Sequence, residues 1–159
     1  MKIKENECFP DLDFFIIKES GPEKLKSSKL FAQKKIILVG VPGAFTPTCS
    51  EEHLPGYIKL SKDFKEKGID KIYFISVNDP FVMKAWGNSY AENDIGFLAD
   101  LGGSLIEKTG LELDFSNIGL GKRFSRFAMV IDDGLIVKLF PENEAELNLS
   151  KAENVLSSI

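Results

Sequence analysis

Cys49 is the side chain best placed to do chemistry in this sequence. It lies in the stretch Val41-Pro42-Gly43-Ala44-Phe45-Thr46-Pro47-Thr48-Cys49-Ser50-Glu51-Glu52-His53-Leu54-Pro55-Gly56. Two helix-start signals compete there. Thr46 can be the N-cap with Pro47 at the first helical position. Alternatively, Thr48 can cap, with Glu51 closing a capping box. Either way Cys49 falls in the first turn, where unpaired N–H groups and the positive end of the helix dipole stabilise an anion. A thiolate held there is a nucleophile. The competing reading is a small buried hydrophobe, a common use of cysteine. Glu51 and Glu52 suit the helix end but oppose a thiolate, so they are predicted to point into solvent.

Thr46 stands three residues before Cys49. Its hydroxyl can donate to the thiolate or to a bound oxygen, or it can serve as a cap alone. Pro42 and Pro47 stiffen the loop and can shield it from water. His53 lies four residues after Cys49, on the same helix face. As a general base it would make a cysteine hydrolase. The alternative is a structural imidazole beside Pro55. A disulfide oxidoreductase would want Cys-x-x-Cys, and Thr46 occupies the first of those positions. Cys8, Cys49 and His53 are the whole supply of Cys and His, which argues against a metal site built from such ligands.

The elements that must hold Cys49 alternate between strand and helix. Phe14 to Ile17 is a short strand pattern, Gly21-Pro22 a break, and Glu23 to Ala32 a weak helix or loop. Lys35 to Val41 and Lys71 to Val77 are continuous apolar runs, as in strands buried on both faces. A helix from Thr46–Thr48 to about Lys67, with a kink expected at Pro55, is closed by Gly68. Asn78-Asp79-Pro80 caps a helix reaching about Tyr90. Phe97 to Asp100 is a strand, and Ser104 to Thr109 a short helix stopped by Gly110. Phe127 to Asp132 and Leu135 to Phe140 flank an Asp133-Gly134 hairpin turn. Lys151 to Ser158 is a terminal helix. This order suits an α/β thioredoxin-like fold, a central mixed β-sheet flanked by helices.

At 159 residues the chain is predicted to be one domain, 1–159. Its 43% hydrophobic content is enough to build a core and excludes intrinsic disorder. A net charge of −4 argues against nucleic acid. Charge clusters such as Lys62-Asp63-Phe64-Lys65-Glu66-Lys67 read as solvated faces. No apolar run is long enough to span a membrane. The polar, acidic N-terminus does not read as a signal or transit peptide, so a cytoplasmic location is expected.

Pro42-Gly43-Ala44-Phe45-Thr46-Pro47-Thr48-Cys49 resembles the peroxiredoxin signature Pro-x-x-x-Thr-x-x-Cys. The wider string from Gly40 to Gly56 is similar to the peroxiredoxin-5 (type II) subfamily. So are Ser76 to Met83, Ala85-Trp86, Phe97 to Asp100, and Arg126 to Gly134. These blocks run from about residue 36 to 140, most of the chain.

The resemblance implies a thiol-dependent peroxidase that reduces hydrogen peroxide and alkyl hydroperoxides without metal or other cofactor. It implies that Cys49 is the peroxidatic residue and becomes a sulfenic acid. It gives Thr46 and Arg126 catalytic roles, and assigns substrate binding to Pro42 and Thr48. Arg123 competes with Arg126, but its offset from the strand does not match the family. Some members carry a resolving cysteine before the last helix. Here Ala145 to Lys151 has none. The expected partner is therefore an external thiol: glutaredoxin, glutathione or thioredoxin. Cys8 is the only internal alternative. A homodimer is expected, and Trp86, Phe45 and Phe81 can wall the site, pack between subunits or simply fill the core. The other class of function to weigh is a redox sensor or holdase that oxidises at Cys49 without efficient turnover.

Overall fold

The structure is a computed structural model that describes residues 2–159. Its centre is a seven-stranded sheet in the order β2-β1-β5-β4-β3-β8-β9. The strands are β1 (Asp13–Lys18), β2 (Gly21–Lys26), β3 (Lys35–Gly40), β4 (Lys71–Ser76), β5 (Gly96–Ala99), β8 (Phe127–Asp132) and β9 (Leu135–Pro141). A separate two-stranded sheet pairs β6 (Glu112–Phe115) with β7 (Gly121–Phe124). Strands β3, β4 and β5 run parallel; β1 pairs antiparallel with β5 and β8 with β3, and the edge strands β2 and β9 pair antiparallel with β1 and β8. The sheet is mixed, as expected.

Helices cover both faces. On one lie α2 (Leu54–Glu66), α3 (Pro80–Asn88) and α5 (Ala152–Ser157), contributing Leu54, Tyr57, Met83, Trp86 and Val155 to the core. On the other, α4 (Ser104–Thr109) adds Leu105 and Ile106, and Phe31 follows α1 (Ser27–Leu30). Alternation along β8 sends Ala128 and Val130 to the α2 face, and Phe127, Met129 and Ile131 to the other. Arg126, one step before β8, shares the parity of Ala128. It therefore starts on the face that carries α2.

Most expected elements are present within a residue or two. Asp79 caps α3 by accepting from the Val82 N–H, and Asp133-Gly134 turns the β8–β9 hairpin with φ of 47° and 82°. That pair of left-handed residues matches the strands' twist. Two regions differ. Gly21-Pro22 opens β2 instead of breaking the chain, and Glu23–Lys26 is strand. Pro22 is tolerated because β2 is an edge strand, where the missing N–H faces away from the ladder. Its lysines and glutamate also guard that edge. The β6–β7 hairpin was not expected at all. It is short, half-buried or exposed except for Phe124, and outside the main sheet.

Candidate active site

The helix carrying Cys49 begins at Pro47, and residues Cys49–His53 form a π-helical turn before α2. The Leu54 N–H returns to the Cys49 carbonyl, five residues back. Thr46 is the residue before the helix, and its carbonyl accepts from the Ser50 N–H at 3.0 Å. The capping box does not form: Thr48 has helical backbone angles, and its side chain makes no cap bond. The widened turn explains how Pro55 is accommodated. In this register Pro55 is the residue due to donate to the Ser50 carbonyl, and it has no N–H. The Tyr90 hydroxyl donates to that carbonyl instead, at 2.6 Å. Trp86 Nε1 donates to Ser50 Oγ at 3.0 Å. Single π-turns of this kind are frequent at functional sites.

Cys49 is fully buried, and Arg126 is 4% exposed. Arg126 Nη1 donates to Cys49 Sγ at 3.0 Å. Arg126 Nε is also buried and has no hydrogen-bond partner. The β3–β8 register brings the two residues together. Gly40 pairs with Phe127, so the end of β3 and the start of β8 share one end of the sheet. Cys49 and Thr48 occupy the first helical turn, where N–H groups lack an intrahelical partner. Glu51 and Glu52 are exposed, as expected. The site is thus a buried thiol facing a permanent cation and free backbone donors. Such a site stabilises negative charge developing on an oxygen that approaches the sulfur.

The loop before the helix is fastened on three sides. The Thr46 hydroxyl donates to the Gly43 carbonyl at 2.7 Å, the Ala44 N–H donates to Asn78 Oδ1 at 2.9 Å, and Arg123 Nη1 donates to the Pro42 carbonyl at 3.1 Å. A Cβ on residue 43 would come within 2.7 Å of Arg123 Nη1, so glycine there admits the arginine. The Thr46 proton is therefore committed to Gly43, and only the oxygen lone pairs of Thr46 remain for a ligand. Phe45 sits in the left-handed region at φ 62° and is exposed.

His53 is 1% exposed, with Nε2 3.1 Å from the Ser150 carbonyl and Nδ1 3.5 Å from Arg126 Nη1. Burial, reinforced by the Arg126 charge and opposed by the Ser150 carbonyl, pushes its pKa down to about 3. It is structurally anchored, as one of the two readings held. Ser150 is fixed in turn: its N–H and hydroxyl donate to Glu142 Oε1 at 2.7 and 2.9 Å. The Tyr57 hydroxyl donates to the Ser150 carbonyl at 2.6 Å. Arg123, the competing arginine, clasps the loop and does not contact the sulfur. Sequence reasoning missed Asn78, Tyr90, Glu142 and Ser150 as supports of the site. The Ser76-Val77-Asn78-Asp79 block was a signal for Asn78; nothing local marks the other three.

Cys8 is exposed and bridges to Leu135, at the start of β9. Leu135 follows the far end of β8 from Arg126. The six residues of β8 span roughly 20 Å. A disulfide needs Cα atoms within about 7 Å. In this fold Cys8 cannot reach Cys49 of its own chain.

Among the described residues, no group of three or more His, Cys, Asp or Glu could hold a metal ion. The Redoxin family model matches residues 4–156. Peroxiredoxin-2B of Arabidopsis thaliana is 49% identical over 131 residues, covering 82% of this chain and 81% of the relative. The crystal structure of reduced Prx3 from Vibrio vulnificus in complex with hydrogen peroxide is 42% identical, with a TM-score of 0.94 and 98% of each chain covered. Peroxiredoxin 5 from Alvinella pompejana is 36% identical, with a TM-score of 0.84 and coverage of 98% and 97%. The fold is thus the thioredoxin-like one expected. With the Redoxin match spanning nearly the whole chain and relatives at this identity, the chain belongs to the peroxiredoxins, in their type II branch, and is a thiol-dependent peroxidase.

Proposed function

We propose that Cys49 is the peroxidatic nucleophile, with Arg126 and Thr46 as its catalytic partners. The observation that carries this reading is the 3.0 Å contact between Arg126 Nη1 and Cys49 Sγ inside a buried site. The Cys49 thiolate attacks one oxygen of a hydroperoxide, and the O–O bond breaks. Cys49 becomes a sulfenic acid, and the other oxygen leaves as hydroxide or alkoxide, which takes a proton from solvent to become water or alcohol. Arg126 and the backbone N–H groups of Thr48 and Cys49 meet the charge that builds on the oxygens. The Thr46 oxygen accepts a hydrogen bond from the peroxide O–H, a polarity supported by its own donation to Gly43. Pro42 walls the site and Thr48 lines it.

An external thiol then attacks the sulfenic sulfur, water leaves, and a second thiol releases reduced Cys49. Glutaredoxin, glutathione and thioredoxin all have this chemistry. External reduction is supported by the distance of Cys8 and the absence of cysteine in residues 145–151. We read residues 1–159 as one domain working in the cytoplasm as a homodimer. Exposed Phe45 and Phe81 support an interface beside the active-site loop. The Ala44–Asn78 bond ties their two segments together.

The test is hydrogen peroxide consumption with excess dithiothreitol, wild type beside Cys49→Ser. Catalytic loss of peroxide in wild type alone is expected. Equal consumption would overturn the assignment of Cys49. A single oxidation without turnover would favour the sensor role.

A further inference from the structure

We infer that His53 is a positioning residue, which accepts a hydrogen bond from Arg126 at Nδ1 and so holds the guanidinium on the Cys49 sulfur. This rests on Arg126 being the donor to Cys49 proposed above. The polarity follows from the partners. The Ser150 carbonyl can only accept, so Nε2 of His53 carries the hydrogen. A neutral imidazole has one N–H, which leaves a lone pair on Nδ1. That lone pair faces Arg126 Nη1, a group that can only donate. Nη1 has two hydrogens: the Cys49 sulfur takes one at 3.0 Å, and Nδ1 faces the other at 3.5 Å. With both engaged, rotation of the guanidinium away from the sulfur costs two contacts rather than one.

The imidazole is itself held by a closed circuit. Its Nε2–H is fixed by the Ser150 carbonyl, and Ser150 is fixed by the Glu142 carboxylate. The Glu142 N–H donates to the Arg126 carbonyl at 2.9 Å, returning the chain to the same arginine. All four residues are buried, Glu142 being the most accessible at 7%. Paired members make a buried network rigid, and of the side-chain groups in this one only Arg126 Nε lacks a partner. The segment from Glu142 to Ser150 therefore braces the guanidinium twice, through its backbone and through His53.

Two substitutions separate this role from simple anchoring. In His53→Gln the amide nitrogen takes the place of Nε2 and keeps the bond to Ser150, while the acceptor facing Arg126 is lost. In His53→Asn the amide oxygen takes the place of Nδ1 and keeps that acceptor, while the bond to Ser150 is lost. The second-order rate of Cys49 oxidation by hydrogen peroxide would be measured by stopped flow, using the single tryptophan. Thermal unfolding and Arg126→Ala would be run alongside. Gln should slow oxidation about tenfold, the worth of one hydrogen bond, and Asn should stay within about threefold of wild type. Asn should also be the less stable of the two, so the order of rates opposes the order of stabilities. The inference fails if Gln keeps the wild-type rate, or if Asn slows as much as Gln. If Arg126→Ala also keeps the wild-type rate, the fault lies with the assignment of Arg126 itself.

Discussion

Arg126 and Cys49 stand 77 positions apart in the chain and meet at 3.0 Å. The antiparallel pairing of β3 with β8 makes this possible. β3 delivers the Pro42–Thr48 loop at one end of the sheet, and Arg126 immediately precedes β8 at the same end. Alternation along β8 then turns the guanidinium toward the helix that carries the thiol. The cation is desolvated by this arrangement, and so is its target. A charge-assisted bond is correspondingly strong there, while an unpaired member would be costly.

Removing the guanidinium should therefore cost rate more than affinity. Arg126→Ala is expected to slow oxidation of Cys49 by at least ~100-fold, on the scale of losing one strong transition-state donor. Arg126→Lys should recover little, because a single ammonium cannot reproduce the planar fork. Stopped-flow oxidation with hydrogen peroxide checks both. A rate within twofold or so of wild type in Arg126→Ala would show that the arginine is not the donor.

Arg123 predicts a different signature. It touches the Pro42 carbonyl at 3.1 Å and the Leu120 carbonyl at 2.8 Å, not the sulfur. Arg123→Ala should loosen the loop and lower kcat/KM for peroxide about tenfold, as for the loss of one or two ordinary hydrogen bonds. A loss as large as that of Arg126→Ala would mean that Arg123 meets the substrate directly.

These two arginines also mark how far the sequence could be read. Arg126 was legible because it borders an apolar strand in a familiar block. Arg123 comes from β7, whose hairpin is short and buries only Phe124 fully, so no hydrophobic period announces it. Cys49, Thr46 and the first helical turn were legible from local signals. The π-turn was not, because it depends on Pro55 being answered by Tyr90, 40 positions from Ser50. Glu142 and Ser150 were invisible for a similar reason. Their worth lies in contacts that only the folded chain creates, and a lone Glu or Ser in a polar segment reads as surface.

Cys8 should be dispensable. It lies beyond the opposite end of β8, so Cys8→Ser is expected to leave turnover with dithiothreitol unchanged. Peroxide consumption under excess reductant checks this. A loss of severalfold or more would point to a bridge between two chains, because no bridge within one chain fits the fold.

Acid should weaken the wild-type protein through His53. Its pKa is about 3 in the fold, against 6.5 for the free side chain. Between those values the unfolded chain binds a proton that the native site refuses, so stability rises with pH across that window. The contribution is complete above about pH 6.5 and is lost progressively down to about pH 3. At about pH 5 the loss amounts to about 2 kcal/mol. His53→Gln cannot titrate and keeps the bond to Ser150. Other carboxylates, including buried Asp100, are common to both proteins and cancel in the difference. Urea unfolding at neutral pH and at about pH 5 should show the wild type losing about 2 kcal/mol more than the variant. Parallel losses would mean that His53 accepts its proton in the fold as readily as in the unfolded chain. The neutral imidazole, and the lone pair it turns toward Arg126, would then be wrong together.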